Sequence, residues 1–222
     1  MEALLLTIVF LVLAGVGLGV WWFSADHVGK RRLRSVASTP IAKAQEGALV
    51  KITGRLVLAE QAELEGPLTG RRCVAYVVEV KERTQSGAKA NWDTIIAKDN
   101  AVAFVVEDDT GRALVVASGA HLILVRDGHV RSGSLGDHAE RAEAFLKVHG
   151  TPSENILRMK RSLHYEEGVL ERGEEVSVLG VAAWEQVPDF MRSEGQEGGA
   201  RCLVLRPLRG GSLTISDDPL TI

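Results

Sequence analysis

Ala3 to Phe23 (ALLLTIVFLVLAGVGLGVWWF) runs without a charged side chain, and no other feature limits this chain as tightly. As an α-helix rising about 1.5 Å per residue it reaches roughly 30 Å, the thickness of a bilayer's hydrocarbon core. Trp21 and Trp22 close the run where indoles favour the headgroup region. The run therefore predicts one transmembrane anchor over residues 1–23. A cleaved signal peptide needs a basic start and an apolar core of about 7–15 residues, and this segment has neither. Lys30, Arg31, Arg32 and Arg34 follow the apolar run, whereas the other flank offers Glu2 and the terminal amine. Positive flanks stay cytoplasmic, which places the N-terminus outside and the rest of the chain at the cytoplasmic surface. Setting topology is the simpler role for these four cations; resting on anionic headgroups, at about 1 kcal/mol each, is the alternative. Gly15 and Gly19 form a small-xxx-small pair through which two such helices can approach, so helix-mediated homo-oligomers are one expectation.

Beyond the anchor, residues 24–46 are polar and basic and read as a juxtamembrane stalk. Residues 47–222 are enough for one domain with its own core. The chain carries a net charge of −3, and its positive charge is concentrated beside the anchor. The domain is therefore more acidic than the total, which argues against nucleic acid as a partner. Two cysteines, Cys73 and Cys202, make no disulfide framework.

The dominant pattern in the domain is β. Ala48 to Leu58 alternates Val50, Ile52, Leu56 and Leu58 on one face, with Gly54 where a bulge fits. Cys73 to Val80 is a second strand, Ala101 to Val116 a hairpin turning at Asp108-Asp109-Thr110-Gly111, and His121 to Val125 a further strand. Glu175 to Val181, Cys202 to Leu205 and Leu213 to Ile215 complete the set. Helix is expected at about 135–165. Asp137 caps a first segment that places Ala142, Phe145 and Leu146 on one face, and Glu154 to Leu163 forms a second. Lys81 to Lys89 and Ser193 to Gly199 read as surface loops. The fold class this implies is mainly β: an antiparallel, OB-like or small-barrel domain with a helical insertion, preceded by one transmembrane helix.

Catalytic and metal patterns are absent from the sequence. The six histidines are dispersed without H-x-x-x-H spacing, no C-x-x-C occurs, and neither a nucleophile elbow nor a phosphate-binding loop is present. No metal and no cofactor are expected. Cys73 is the one candidate reactive thiol, since Arg71 and Arg72 beside it favour a thiolate. Its apolar surroundings favour a buried hydrophobe instead. Tyr165-Glu166-Glu167 and Glu171 to Glu175 read as acidic, solvated turns. Trp92 and Trp184 are the tryptophans outside the anchor, and Trp92 is the better candidate for exposure.

Taken in order, these pieces resemble a known family. The apolar helix and Ser-Thr-Pro stretch precede Val50-Lys51-Ile52-Thr53-Gly54. Then come Pro67-Leu68-Thr69-Gly70-Arg71-Arg72-Cys73-Val74-Ala75-Tyr76, Trp92, Phe104 to Gly111 (FVVEDDTG), Glu171 to Gly180 (ERGEEVSVLG) and Leu213 to Asp217 (LTISD). The arrangement is similar to the GIDE, or beside-a-membrane, domain of membrane proteins related to mitochondrial ubiquitin ligase. The resemblance spans most of residues 38–218. It implies a second transmembrane helix and a zinc-binding RING finger, which supplies RING-type E3 ubiquitin transferase activity. Neither a second apolar span nor the RING's Cys/His ligands stand in this sequence. The expectation is thus a membrane-anchored GIDE-like module that binds or scaffolds an unidentified protein partner without catalysis. The alternative is a component of a ubiquitin-like transfer system. Arg71, Arg72 and Trp92 are the candidate partner surface.

Overall fold

The computed structural model describes residues 26–59, 63–86, 89–131, 137–151, 162–191 and 200–222. The apolar run with Gly15 and Gly19, nearly all of the second expected helix and the 193–199 loop lie outside the described residues. Among the described residues no helix is long and apolar enough to cross a membrane.

Residues 26–35 form a helix, α1, and Ile41–Lys43 a 3-10 turn. Strand β1 (Leu49–Ala59) then leads to the short pair β2 (Leu64–Glu65) and β3 (Arg72–Cys73), and to the long hairpin β4 (Ala75–Ser86) and β5 (Lys89–Ala101). A second hairpin follows, β6 (Phe104–Asp108) with β7 (Gly111–Val115). Next come β8 (His121–Ile123), β9 (Gly128–Arg131), helix α2 (Asp137–Val148) and β10 (Leu163–Leu170). The chain finishes with β11 (Glu175–Gln186), a 3-10 turn at Asp189–Met191, β12 (Arg201–Arg206) and β13 (Thr214–Ser216).

Five strands close on themselves in the order β1-β6-β7-β12-β11-β1, giving a small barrel. All of these neighbours are antiparallel except β7 and β12, which run parallel. Closure depends on β1, whose Leu49 to Arg55 pair with β11 while Arg55 to Ala59 pair with β6. Arg55 faces both partners at once. At Gly54 an added Cβ would lie 2.4 Å from the Glu107 carbonyl oxygen, so only glycine lets the β6 backbone approach this closely. The bulge expected at Gly54 falls instead between Leu56 and Leu58. Alternation carries Val50, Ile52, Leu56, Phe104, Val106, Val115, Val176, Val178, Leu203 and Leu205 into one core.

The chain between β1 and β6 and the chain between β7 and β11 meet outside the barrel in a second sheet, ordered β5-β4-β10-β9. One face of it is apolar. Val78, Val80, Ile96, Leu163 and Tyr165 pack with Leu68 against Ala142, Phe145 and Leu146 of α2, the helix face that the sequence predicts. Gly150, at φ 64°, follows the helix end.

Several sequence expectations are corrected here. Lys81 to Ser86 and Lys89 are paired strand rather than loop, because Lys81 to Ser86 face Thr94 to Lys89 of β5 in continuous register. Tyr165, Glu166 and Glu167 are not a solvated turn; they lie in the middle of β10, and Glu167 is fully buried. The stalk also does not stand free. Leu33 is buried against Ile123 and Leu179, Ile41 and Ala44 join the barrel core, and Ser38 bridges Lys51.

Asp108 ties this N-terminal segment to the β6–β7 turn. Its carboxylate accepts from the Ile41 N–H (2.8 Å), from the Thr110 N–H and hydroxyl (both 2.7 Å) and from the Gly111 N–H (2.9 Å). Burial opposes the charge, but these donors outweigh it and hold the carboxyl below its usual range.

Two expectations follow from these contacts. Gly54→Val forces β1 away from β6 and lowers stability by about 1–3 kcal/mol, the usual cost of overpacking, read as a fall in the urea midpoint. Since the folded-state value of Asp108 is depressed, its contribution is present above the unfolded carboxylate value of about 3.9 and fades as pH falls through the lower folded value. The stability gap between wild type and Asp108→Ala should therefore be wide at pH 7 and narrow steadily below about pH 4.

Candidate functional site

The second sheet turns its other face to solvent. Along β4 this face carries Glu79, Lys81 and Arg83, and along β10 His164 and Glu166. Register sets Lys81 opposite His164, Glu79 opposite Glu166, Arg83 opposite Trp92 and Glu166 opposite His129. Trp92, half exposed, leans on His164 with ring centroids 5.7 Å apart, and His129 stacks on the same imidazole at 5.9 Å and 21°. A cleft of about 630 Å³ opens here, lined by Lys81, Arg83, Trp92, Ser162, His164 and Glu166 among others.

Alternating charges hold this face in place. Arg126 binds Glu79 (3.1 Å), Lys81 bridges Glu79 (3.3 Å) and Glu166 (2.5 Å), and Glu166 meets His164 (3.2 Å). Burial opposes ionisation of Glu166, but the Lys81 hydrogen bond and charge, helped by His164 and His129, bring its carboxyl below the usual range. Glu166 is therefore a carboxylate at neutral pH.

Arg71 and Arg72 are elsewhere. Arg71 is ion-paired with Asp127 (2.5 Å) and Glu171 (3.3 Å), and Arg72 sits exposed in β3 opposite Glu65. Arg83, the partner of Trp92, is eight residues beyond Ala75 along β4, about 26 Å at 3.3 Å per residue. The structure thus separates the two arginines from Trp92. Sequence proximity brought Arg71, Arg72 and Cys73 together, but the long hairpin carries Trp92 to its far end.

Cys73 is buried, and it faces Leu64 across β2–β3. Burial, reinforced by the charges of Glu167 and Glu171 and only partly offset by Arg71, pushes its thiol up to about 12. That overturns the reactive-thiol reading, because the thiolate is the nucleophile. Glu167 has a structural task nearby. It accepts from the Leu68 N–H (2.8 Å), the Thr69 N–H (3.1 Å) and the Thr69 hydroxyl, fixing the 66–70 turn on β10.

The basic cluster after the apolar run also finds partners. Lys30 pairs with Asp218 (2.8 Å), and the Arg34 Nε donates to the Leu220 carbonyl (3.1 Å), while Arg31 and Arg32 are exposed. Asp26 meets His121 at 2.8 Å. The receiving C-terminal turn is itself locked in place: buried Lys51 donates to the Thr221 carbonyl (2.8 Å), as does the Ser177 hydroxyl (3.1 Å).

No family model, curated protein or solved structure matches this chain. The polar face of the second sheet and the docked helix α1 are therefore the features on which a functional reading rests.

Sequence reasoning missed His129, His164 and Glu166. They are far apart or in unremarkable company along the chain, and only the pairing of β9 with β10 joins them. The i, i+2 spacing of His164 and Glu166 is the one trace that was visible.

In the folded protein at pH 8, an aromatic disulfide reagent should leave Cys73 unmodified for as long as the denatured chain needs to react completely. Prompt single-site labelling at Cys73 would show that the thiol is open to solvent.

Proposed function

We propose that this chain is a membrane-tethered, non-catalytic binding module of the GIDE type, held at the cytoplasmic surface. The observation that carries this reading is the docking of residues 26–35. The helix that directly follows the apolar run is fixed to the domain by buried Leu33, by Lys30 on Asp218 and by Arg34 on the Leu220 carbonyl. A domain held so closely has little freedom to swing on its tether, so a partner meets it in a set orientation. Lys30 and Arg34 thereby combine two tasks, since cations near a membrane span also set its topology.

The barrel's strand order, with one parallel pair, supports the OB-like reading of the fold, an architecture used widely for binding. Trp92 with Lys81, Arg83 and His164 has the aromatic and cationic make-up of a protein-recognition patch. We assign partner contact to that face rather than to Arg71, whose guanidinium is already occupied by two carboxylates.

Two measurements test this. The full chain should sediment with membranes after an alkaline wash and be released by detergent; recovery in the soluble fraction would remove the tether. A photoreactive residue replacing Trp92 should crosslink one discrete protein band in intact membranes, while one replacing the exposed Val148 of α2 should not. Identical products from both positions would reject the Trp92 face as the recognition surface.

A further inference from the structure

The geometry points to a divalent transition-metal site, of the kind zinc occupies, built from His129, His164 and Glu166. Their ligand atoms all lie within 4.8 Å of one another. The arrangement follows from sheet register. His164 and Glu166 are two residues apart on β10 and so project from one face, while His129, on the adjacent edge strand β9, stands directly opposite Glu166. Two ligands from one strand and a third from its antiparallel neighbour converge on a point above the sheet. Metal–nitrogen and metal–oxygen bonds of about 2.0–2.2 Å want ligand atoms roughly 3.3 Å apart in a tetrahedron. His164 Nε2 and Glu166 Oε1 are already 3.2 Å apart. The remaining adjustment falls on His129, whose exposed side chain already stacks on the His164 ring.

The surroundings suit such an ion. Lys81 holds the Oε2 atom of Glu166, which leaves Oε1 on the side of His164. That second bond orients the carboxylate in the way outer partners orient metal ligands. On this face Glu79 and Glu166 stand against Lys81, Arg126 and Arg83, so the carboxylates do not outnumber the cations. The cradle thus has no surplus negative charge with which to gather calcium or magnesium, which also prefer all-oxygen shells. Binding rests on two imidazoles and one carboxylate, a donor set for zinc, cobalt, nickel or copper. Three protein ligands leave a fourth position open, and two of them, His164 and Glu166, also line the cleft beside Trp92.

Three other histidines are engaged elsewhere. His121 meets Asp26, His138 the Leu68 carbonyl and His149 the Phe145 carbonyl. The membrane tether has no part in this site, which the β9–β10 register and its side chains build by themselves.

The test uses the untagged full chain in detergent, stripped with a chelator and titrated with Co²⁺, whose visible d–d bands report nitrogen and oxygen coordination. One Co²⁺ per chain is expected to bind and to be displaced by an equivalent of Zn²⁺, with excess Mg²⁺ having no effect. His164→Ala and His129→Ala should each weaken Co²⁺ binding by at least about tenfold. Unchanged thermal midpoints of the stripped variants would show that the fold is intact. His129 lies exposed on an edge strand, so its replacement tests the site even if His164→Ala unfolds. Absence of bands up to millimolar Co²⁺, or binding that a folded His129→Ala variant leaves unchanged, would overturn the assignment.

Discussion

Barrel closure through β1 is the constraint on which everything else depends. One strand must pair with β11 along its first half and with β6 along its second, and at Gly54 the β6 backbone comes too close for any side chain. Closure removes the open edges that a five-strand sheet would otherwise expose. It also fixes where the two long insertions leave the barrel. They pair with each other, β4 against β10, and build a second sheet with its own helix-covered core. Glu167 strengthens that union, because it belongs to one insertion and binds the 66–70 turn of the other. A carboxylate so buried is tolerated only because two N–H groups and a hydroxyl meet it.

The division into barrel and second sheet also separates tasks. The barrel interior is apolar throughout, and its surface receives helix α1 and the C-terminal turn. These are the contacts that bind the N-terminal segment to the domain. The second sheet buries one face under α2 and leaves the other polar, with histidines, carboxylates, cations and Trp92 at strand spacing. Polar and aromatic side chains therefore collect on paired strands rather than on loops. Such a face suits the proposed partner surface and the proposed metal cradle alike, since strand register fixes which side chains meet.

Much of the β pattern was legible because buried strands impose a period of two. Val50, Ile52 and Leu56, the FVVEDDTG hairpin, Glu175 to Val181 and Cys202 to Leu205 all show it, and so does the 3.6-residue spacing of Ala142, Phe145 and Leu146 in α2. Lys81 to Ser86 and β5 did not show it. Their residues are polar because most of them face solvent, so hydropathy reads them as loop although hydrogen bonding makes them strand. Glu167 was misread for the opposite reason, since a buried, fully bonded carboxylate has the same letter in the sequence as a solvated one.

By itself, the sequence determined an apolar run of membrane-spanning length with cations on one side, a β-rich domain, the amphipathic face of α2 and the burial of Cys73 in an apolar stretch. Each of these is a local property, set by composition or by short-range period. The tertiary structure alone decided that Lys30 and Arg34 grip the C-terminal turn, that Arg71 is engaged while Trp92 stands open, and that His129, His164 and Glu166 share one patch. Those facts depend on strand register and barrel closure. Pairing between residues that are dozens of positions apart leaves no spacing in the chain from which it can be read.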